Sequence, residues 1–309
     1  MAMVFGALPI GCYAPAFSDC ELRCSSANTC PAGQMCDGQF CRAPKASGTC
    51  MDVTIDSPMG SESTLLDRDG DTILDDMDNC PAMANRDQAN EDGDLLGNVC
   101  DPCPPVGPPG NADPDSDGVG DACDPNPLMP GDSIAMFEGF DQAPMATGLL
   151  TTGMVTYSGG QMQILGSATA AGLTWPVLGG QNRVVSTRFT IDALTGPPAL
   201  IGVVDRASAS AGTGVSCEAG IGSDNMPKLV AVELPAMERM SDIITIANGM
   251  TVTVAQRRSG RAYTCKIDPG AQQVLYTSTT NETLSLVQTG VRTRSASAHF
   301  DWVMIVNTP

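Results

Sequence analysis

The stretch "DRDGDTILDDMDNCP", residues 67–81, places six aspartates within its first twelve positions. Two carboxylates about 4 Å apart repel by roughly 4 kcal/mol at an effective dielectric constant of about 20, so a folded chain avoids such crowding unless something offsets it. Residues 51–132 carry 20 acidic and 2 basic side chains, nearly all of the net charge of −19. They contain no aromatic residue, so this segment is either a disordered acidic spacer or one that metal ions order.

The acidic segment repeats itself with a period of 23 residues. The windows "DRDGDTILDDMD" (67–78), "NEDGDLLGNVCD" (90–101) and "DPDSDGVGDACD" (113–124) begin 23 residues apart. Cys80 and Cys103 keep the same spacing, as do Cys100 and Cys123. A disordered spacer has no reason to keep such a period, so the repeat favours a segment that metal ions order.

Each window has the ligand spacing of an EF-hand calcium loop, in which oxygen-bearing side chains stand at positions 1, 3, 5, 9 and 12 and position 7 offers its backbone carbonyl. A cation among the carboxylates would turn their repulsion into attraction. Position 6 is glycine only in the third window and no amphipathic helix flanks the loops, so a helix–loop–helix sensor is not expected. The predicted ligands, for about three calcium ions, are Asp67, Asp69, Asp71, Ile73, Asp75 and Asp78; Asn90, Asp92, Asp94, Leu96, Asn98 and Asp101; and Asp113, Asp115, Asp117, Val119, Asp121 and Asp124.

Residues 67–127 resemble thrombospondin type 3 repeats in their ligand pattern and in the cysteines of "DNCP", "GNVCDPC" and "GDACD". The resemblance implies a chain that wraps around calcium ions with little regular secondary structure. It also implies the disulfides Cys80–Cys100 and Cys103–Cys123, although four cysteines allow three connectivities and the sequence alone does not choose among them. The second window has asparagine at two ligand positions, so weaker binding is expected there.

The 13 cysteines indicate an oxidising compartment, hence an extracellular or outer-surface protein. Residues 1–12, "MAMVFGALPIGC", are similar to the end of a bacterial lipoprotein signal with Cys12 as the lipidated residue, but an ordinary signal remnant fits as well. Residues 20–50 hold six cysteines and are predicted to form a small disulfide-rich module, with zinc at Cys24, Cys30, Cys36 and Cys41 as the alternative. Residues 51–66 are interpreted as a linker.

Residues 133–309 are nearly balanced in charge and rich in short alternating segments with turn signals between them. The segments are "RVVSTRFTI" (183–191), "KLVAVEL" (228–234), "MTVTVA" (250–255), "TLSLVQ" (283–288) and "HFDWVMIV" (299–306). We predict a β-sandwich or jelly roll, with a disulfide Cys217–Cys265 between two strand-like segments. The ends "SIAMFEGFDQAP" and "HFDWVMIV" resemble the first and last strands of concanavalin A-like, laminin G-like sandwiches, which implies that the terminal strands pair. The fold class is therefore mostly β, with a calcium-wrapped repeat segment between a small disulfide module and a sandwich.

Few side chains of the sandwich indicate chemistry. Trp175, in a loop-like segment, is the candidate for stacking on a sugar. Trp302 is interpreted as core, because alternation in "HFDWVMIV" places it on one face with Phe300 and Met304. His299 is the only histidine and is interpreted as structural. Arg257, Arg258 and Arg261 are predicted to form a solvated hairpin tip, with contact to an acidic glycan or to the acidic repeats as the alternative.

Three functions compete for this architecture. We expect a calcium-binding surface protein whose stalk of repeats carries a sandwich that binds a glycan or a surface protein. The alternatives are a polysaccharide hydrolase on the sandwich scaffold and a purely structural envelope protein. We expect no nucleic-acid partner, because the acidic segment repels phosphate, and contact with a membrane only through the lipid at Cys12. The ligand rests on fold analogy alone.

Overall fold

The fold is described from a computed structural model of the chain. Two compact units are present, Met1–Thr64 and Leu65–Pro309. The residues that the structure describes are 35–37, 40–42, 66–143, 148–149, 154–166, 170–178, 182–208, 213–234, 237–269, 272–278 and 286–309. The predicted lipidation site Cys12, the signal remnant, the linker and most of the cysteine module lie outside these residues.

The described part of the first unit is one antiparallel hairpin of β1 (Met35–Asp37) and β2 (Phe40–Arg42). Cys36 lies opposite Cys41 in its register, and both cysteines are disulfide-bonded. These two cysteines are therefore not zinc ligands, which favours the disulfide interpretation of the module over the zinc alternative.

Residues 66–132 run as successive turns without a strand or a helix, as the repeat pattern predicts. In the remaining described residues all regular structure is β. The strands are β3 (Ser133–Glu138), β4 (Gly148–Leu149), β5 (Met154–Ser158), β6 (Gln161–Leu165), β7 (Ala170–Leu178), β8 (Asn182–Leu194), β9 (Ala199–Ser208), β10 (Thr213–Ile221), β11 (Pro227–Leu234), β12 (Met237–Ile243), β13 (Thr251–Ser259), β14 (Ala262–Asp268), β15 (Gln273–Thr277), β16 (Leu286–Arg294) and β17 (Ala296–Thr308).

These strands form two antiparallel sheets. One has seven strands in the order β12-β11-β10-β9-β16-β7-β4, and the other has eight in the order β15-β14-β13-β8-β17-β6-β5 with β3 also paired to β17. The first half of β17 pairs with β6 and its second half with β3, so the strand that opens the sandwich pairs with the strand that closes it. The predicted β-sandwich and its paired terminal strands are therefore confirmed.

The sheets enclose one large apolar core. Alternate residues of the inner faces supply it, as the period of a strand requires. Phe189 of β8 and Phe300 of β17 lie at its centre with ring centroids 5.5 Å apart. Trp175 also belongs to this core, on β7 rather than in a loop, and only 8% of its surface is exposed. The hypothesis that Trp175 stacks on a bound sugar is therefore wrong.

A β-bulge in β17 changes which face its side chains occupy. The register between β17 and β8 shifts between Phe300 and Trp302, because one extra residue is accommodated there. Phe300 faces the main core, whereas Trp302 faces the outside of the eight-stranded sheet with Met304 and Val306. Trp302 is buried, as expected, but it does not share a face with Phe300.

The predicted disulfide between Cys217 and Cys265 is not formed in this structure. Both are free thiols, one on β10 of the seven-stranded sheet and one on β14 of the other, and both are fully buried. The two side chains meet in the core, and burial raises the pKa of the Cys217 thiol. The prediction correctly placed the two cysteines close to each other across the sandwich, but it was wrong that their sulfurs form a bond.

Candidate metal centres

The first residue of each window folds the turn that follows it. Asp67 accepts hydrogen bonds from the backbone N–H groups of Gly70 and Thr72 at 2.7 and 3.0 Å. Asn90 and Asp113 accept equivalent bonds at the start of the second and third windows. Such side-chain bonds satisfy backbone donors in a segment that has no strand or helix to do so.

The carboxylates at positions 3, 5 and 12 form a second set of turns. Except in Asp115, one carboxylate oxygen of each group accepts the N–H group two residues further on, as Asp71 does from Ile73 and Asp101 from Cys103, both at 2.8 Å, and as Asp124 does from Asn126. Asp69, Asp78, Asp92, Asp94 and Asp117 do the same. One oxygen of each of these groups is thereby held by the backbone, and in Asp69, Asp92 and Asp124 the other oxygen has no hydrogen-bond partner among the described residues.

The two-residue spacing brings these carboxylates together. Each of four groups has ligand oxygens within 4.8 Å of one another. The groups are Asp67, Asp69 and Asp71; Asp92, Asp94 and Asp101; Asp113, Asp115 and Asp117; and Asp117, Asp124 and Asp132. Three of them lie one to a window, and the fourth stands at the end of the last window.

Several of these oxygens are buried without a hydrogen-bond partner among the described residues. They are Oδ2 of Asp69, Asp92 and Asp124 and both carboxylate oxygens of Asp115. A buried acceptor without a donor is costly, and a buried charge more so. A hard cation that binds oxygen removes that cost at every one of these atoms, so the residues present fit calcium.

The pKa values of the same carboxyl groups reflect this crowding. Loss of hydration, reinforced by neighbouring carboxylates, raises the pKa of Asp69 and of Asp115. Loss of hydration, together with Asp92 and Asp94, raises the pKa of Asp101 to about 6. The pKa of Asp124 also rises to about 6, through loss of hydration and then its contact with Asp132. Without a cation the loops therefore hold carboxylates that resist ionisation.

Position 9 has a different role from the one predicted. Asp75 accepts the Arg68 backbone N–H at 2.9 Å and pairs with the Arg68 side chain, and Asn98 accepts the Glu91 N–H at 2.8 Å. Both side chains therefore close their loops, and Asp75 lies outside the converging carboxylates. In the third window position 2 is Pro114, which has no N–H to donate, and Asp121 is exposed.

Position 12 joins a cluster in two windows of three. Asp101 completes the second group and Asp124 belongs to the fourth, but Asp78 accepts instead from the Cys80 N–H and the Gln88 side chain, both at 2.8 Å. Ile73, Leu96 and Val119 at position 7 donate their N–H groups to the position-5 carboxylates. Their carbonyl ligation remains a prediction.

The sequence interpretation missed Asp132, which follows the last window by eight residues. Only 2% of its surface is exposed, and it accepts from the Asn126 side-chain amide at 3.0 and 2.9 Å. The signal was present in the sequence, because Asp132 is the last acid before the sandwich begins. It was missed because it lies outside the 23-residue pattern.

The position-5 carboxylate also holds the segment that follows its own window. The Asn85 N–H donates to Asp71 Oδ2 at 2.8 Å, and the Asn111 amide donates to Asp94 Oδ2 at 2.9 Å. In the same way Asp117 Oδ2 accepts from the N–H groups of residues 131 and 132, at 3.0 and 2.7 Å. The disulfides Cys80–Cys100 and Cys103–Cys123, which the family resemblance implied, both form between successive units.

The last repeat packs against the outer face of the eight-stranded sheet. Val119 is 1% exposed and lies in an apolar cluster with Trp302, Met304 and Val306. The repeats therefore do not stand clear of the sandwich as the separate stalk that we expected; both belong to the unit Leu65–Pro309.

Polar contacts join the repeats to the sandwich as well. Arg257 donates to the Pro125 carbonyl at 3.0 Å and to Asn126 Oδ1 at 2.7 Å, so the alternative that the basic turn touches the repeats is confirmed for this residue. Glu91, in the second window, is half-buried near Asp141 and Asp301. Loss of hydration and these two charges raise its pKa to about 8.

The other basic residues of the turn and the histidine have structural partners. Arg258 is buried and pairs with Asp205 at 3.1 Å, and Arg261 donates to the Ser278 carbonyl. His299 Nδ1 lies 2.7 Å from Asp192 Oδ1, which agrees with a structural role. Within the described part of the chain, no helix is long and apolar enough to cross a membrane.

Residues 66–88 and 112–126 match the family model of the thrombospondin type 3 repeat. No curated protein matches the chain.

Three solved structures illustrate the likeness of the sandwich. The winged bean acidic lectin, complexed with methyl-α-D-galactose, has 8% identity and a TM-score of 0.46 over 58% of this chain and 99% of the lectin. A Bacillus subtilis protein of unknown function with a galectin-like fold has 6% identity and a TM-score of 0.46 over 56% of this chain and 95% of that one. The Bacillus subtilis carbohydrate-binding module CBM66 has 14% identity and a TM-score of 0.41 over 50% and 91%.

The segment thus carries thrombospondin type 3 repeats, in agreement with the resemblance of its motifs. The matched residues include all carboxylates of the first and third windows. The second window lies between the matched ranges and shares their turn geometry and their spacing. The sandwich fold stands on the strand pairing given above rather than on these distant structures.

Proposed function

We propose that this chain is a calcium-binding protein of the cell exterior, in which the repeats support a β-sandwich that binds a glycan. The observation that carries the calcium part is the convergence of carboxylates within the repeats, with buried oxygens that no described group satisfies. Bound calcium would supply charge neutralisation and oxygen coordination, and the residues that would hold it are those of the four carboxylate groups. Its role is structural, because the ions replace the apolar core that the repeats lack.

An exterior location is consistent with the disulfide chemistry of the chain. Cys80–Cys100 and Cys103–Cys123 would not persist in a reducing cytosol. An outer surface also supplies calcium at concentrations that keep weak sites filled, since extracellular modules bind with Kd values of about 10⁻⁴–10⁻³ M. Attachment through a lipid at Cys12 belongs to the same proposal.

For the sandwich we propose binding rather than catalysis, with adhesion to a surface glycan as its outcome. The two notable candidates for chemistry have structural partners, because Trp175 lies in the core and His299 pairs with Asp192. Hydrolysis and a purely structural envelope role remain the alternatives. A glycan array with the full chain, followed by a search for new reducing ends, separates all three: binding without cleavage supports the proposal.

Calorimetric calcium titration tests the metal part. We expect about three ions per chain, with one fewer in the Asp115→Asn variant because both of its buried oxygens lie in the third group. Asp76→Asn is the matched control, since Asp76 is exposed and lies outside every carboxylate group. A chain that binds no calcium, or an Asp76 variant that loses as much as the Asp115 variant, would contradict the proposal.

A further inference from the structure

A cleft of about 490 Å³ lies between the last repeat and the outer face of the eight-stranded sheet. One wall is formed by residues 105–106 and 122–125 of the repeats, and the other by β8, β13, β14 and β17. Its volume falls within the roughly 300–1,000 Å³ of pockets that enclose small ligands. The cleft therefore has room for a sugar unit or two.

Small side chains on neighbouring strands produce the depth of this cleft. Ala255 on β13 lies opposite Ser186 on β8, and Ser186 lies opposite Met304 on β17. Because Ala255 and Ser186 have small side chains, the surface of the sheet is lower along this row than around it. Lys266 on β14 continues the row beyond Ala255. Since cross-strand neighbours stand side by side on one face, this row forms a continuous trough.

The lining combines apolar surface with hydrogen-bonding groups of both kinds. Val106 is 44% exposed on the repeat side, and Thr253 and Thr264 place hydroxyl groups on the sheet side. Lys266 is an exposed donor and Asp268 an exposed acceptor of opposite charge. A pyranose has apolar C–H faces and hydroxyls that donate and accept, and the balanced charges favour a ligand without net charge.

We infer that this cleft binds a neutral sugar and that calcium in the last repeat controls the binding. The repeat wall includes Cys123 and Asp124, and Asp124 belongs to the carboxylate group that also contains Asp117 and Asp132. Arg257 joins this wall to the sheet through the Pro125 carbonyl. When the cation leaves, repulsion among these carboxylates pushes the wall away and the cleft opens on one side. The inference rests on the glycan binding proposed above and gives it a site and a regulator.

The experiment uses the full chain with neutral cello-, malto-, xylo- and galacto-oligosaccharides in calcium and then in chelator, with binding followed by calorimetry and saturation-transfer NMR. We expect at least one of these sugars to bind in calcium. Ala255→Trp fills the trough and should weaken that binding by about tenfold or more, which corresponds to about 1.4 kcal/mol. Lys266→Ala, which only removes a donor, should weaken it less. Chelator should abolish it.

Ile243→Trp is the matched control, because Ile243 is 63% exposed on β12 of the seven-stranded sheet and lies outside the cleft. Unchanged binding in that variant supports the site. Sugar binding that both Ala255→Trp and Lys266→Ala leave intact would overturn the inference while the proposed function stands. If no glycan binds the wild-type chain, on the array or in solution, the proposed ligand class fails and the inference fails with it. Sugar binding that persists in chelator would overturn the calcium control alone.

Discussion

The repeats and the sandwich belong to one compact unit, yet different forces hold each in shape. In residues 66–132 the interior consists of carboxylates that accept backbone N–H groups and converge on common centres, and two disulfides join the units. In the sandwich an apolar core lies between two sheets, with fully buried side chains such as Phe189 and Phe300. One region thus depends on the solvent composition and the other mainly on burial of apolar surface.

The two regions make both apolar and polar contacts where they meet. The repeats place the buried side chain of Val119, with Cys123 beside it, against the apolar cluster of Trp302 on the outer face of the sheet. The sandwich in turn lends the cation Arg257 to the carbonyl and amide oxygens at the end of the last repeat. The order of the repeats should therefore respond to calcium, and the junction should transmit that response to the sandwich.

Removal of calcium is the strongest way to separate the two regions. Chelation should disorder residues 67–124, because neighbouring carboxylates then repel by roughly 4 kcal/mol for each pair about 4 Å apart. The sandwich should keep most of its strands. Hydrogen exchange read by mass spectrometry checks both statements, and added calcium should restore protection. Equal exchange in the repeats with and without calcium would show that calcium does not order them.

Truncation of Trp302 should separate the regions without changing the solvent. Trp302→Ala removes the centre of the interface and should cost about 3–5 kcal/mol in the free energy of unfolding. In this variant hydrogen exchange should increase mainly at residues 112–132 and in β3. Phe300→Ala is the matched control, because it is two residues away but faces the main core, so its loss should spread through both sheets. If the two variants changed hydrogen exchange at the same residues, Trp302 and Phe300 would not lie on opposite faces of the sheet.

Val119→Ala tests the same interface from the repeat side. Loss of two methyl groups should cost roughly 1–3 kcal/mol, since each buried CH₂ contributes about 0.8 kcal/mol and a cavity remains. Leu96→Ala is the control, because Leu96 occupies the same position of the second window and is only half-buried. Chemical denaturation in calcium should show the larger loss for Val119; the reverse order would argue against repeat docking.

Arg257→Ala should have the smallest effect. Its side chain is exposed, so its two hydrogen bonds to the end of the repeats should stabilise the junction by about 1 kcal/mol or less. Arg261→Ala removes a comparable pair of bonds, but to Ser278 within the sandwich. The Arg257 variant should increase exchange at residues 122–132 and the Arg261 variant should not. The same increase in both variants would show that Arg257 is not specific to the junction.

Local spacing in the sequence was enough to predict the turns of the repeats. Ligands two residues apart fix which carboxylates converge, and alternation fixes which segments become strands, as for β8, β11, β13 and β17. The family resemblance supplied the two disulfides. These features depend on neighbours along the chain or on a fixed repeat.

Features set by distant contacts could not be predicted in the same way. Trp302 was placed on the face of Phe300 because strict alternation was assumed, and a one-residue bulge reverses the face. Asp75 was counted among ligands because its position matched, but the loop uses it to hold Arg68. The Cys217 and Cys265 sulfurs meet across the core without a bond, and strand positions alone do not specify that outcome.

The donors that each loop takes from the segment after it bear on how such an array can change in length. Asp71 and Asp94 draw on Asn85 and Asn111, whereas Asp117 draws on the connecting segment at residues 131 and 132, which acts as a terminal plug. Duplication of one whole 23-residue module would carry its own donor with it and leave residues 131 and 132 in place. An insertion of another size would leave a position-5 carboxylate without its donor, so we expect arrays of this kind to grow and shrink by entire modules.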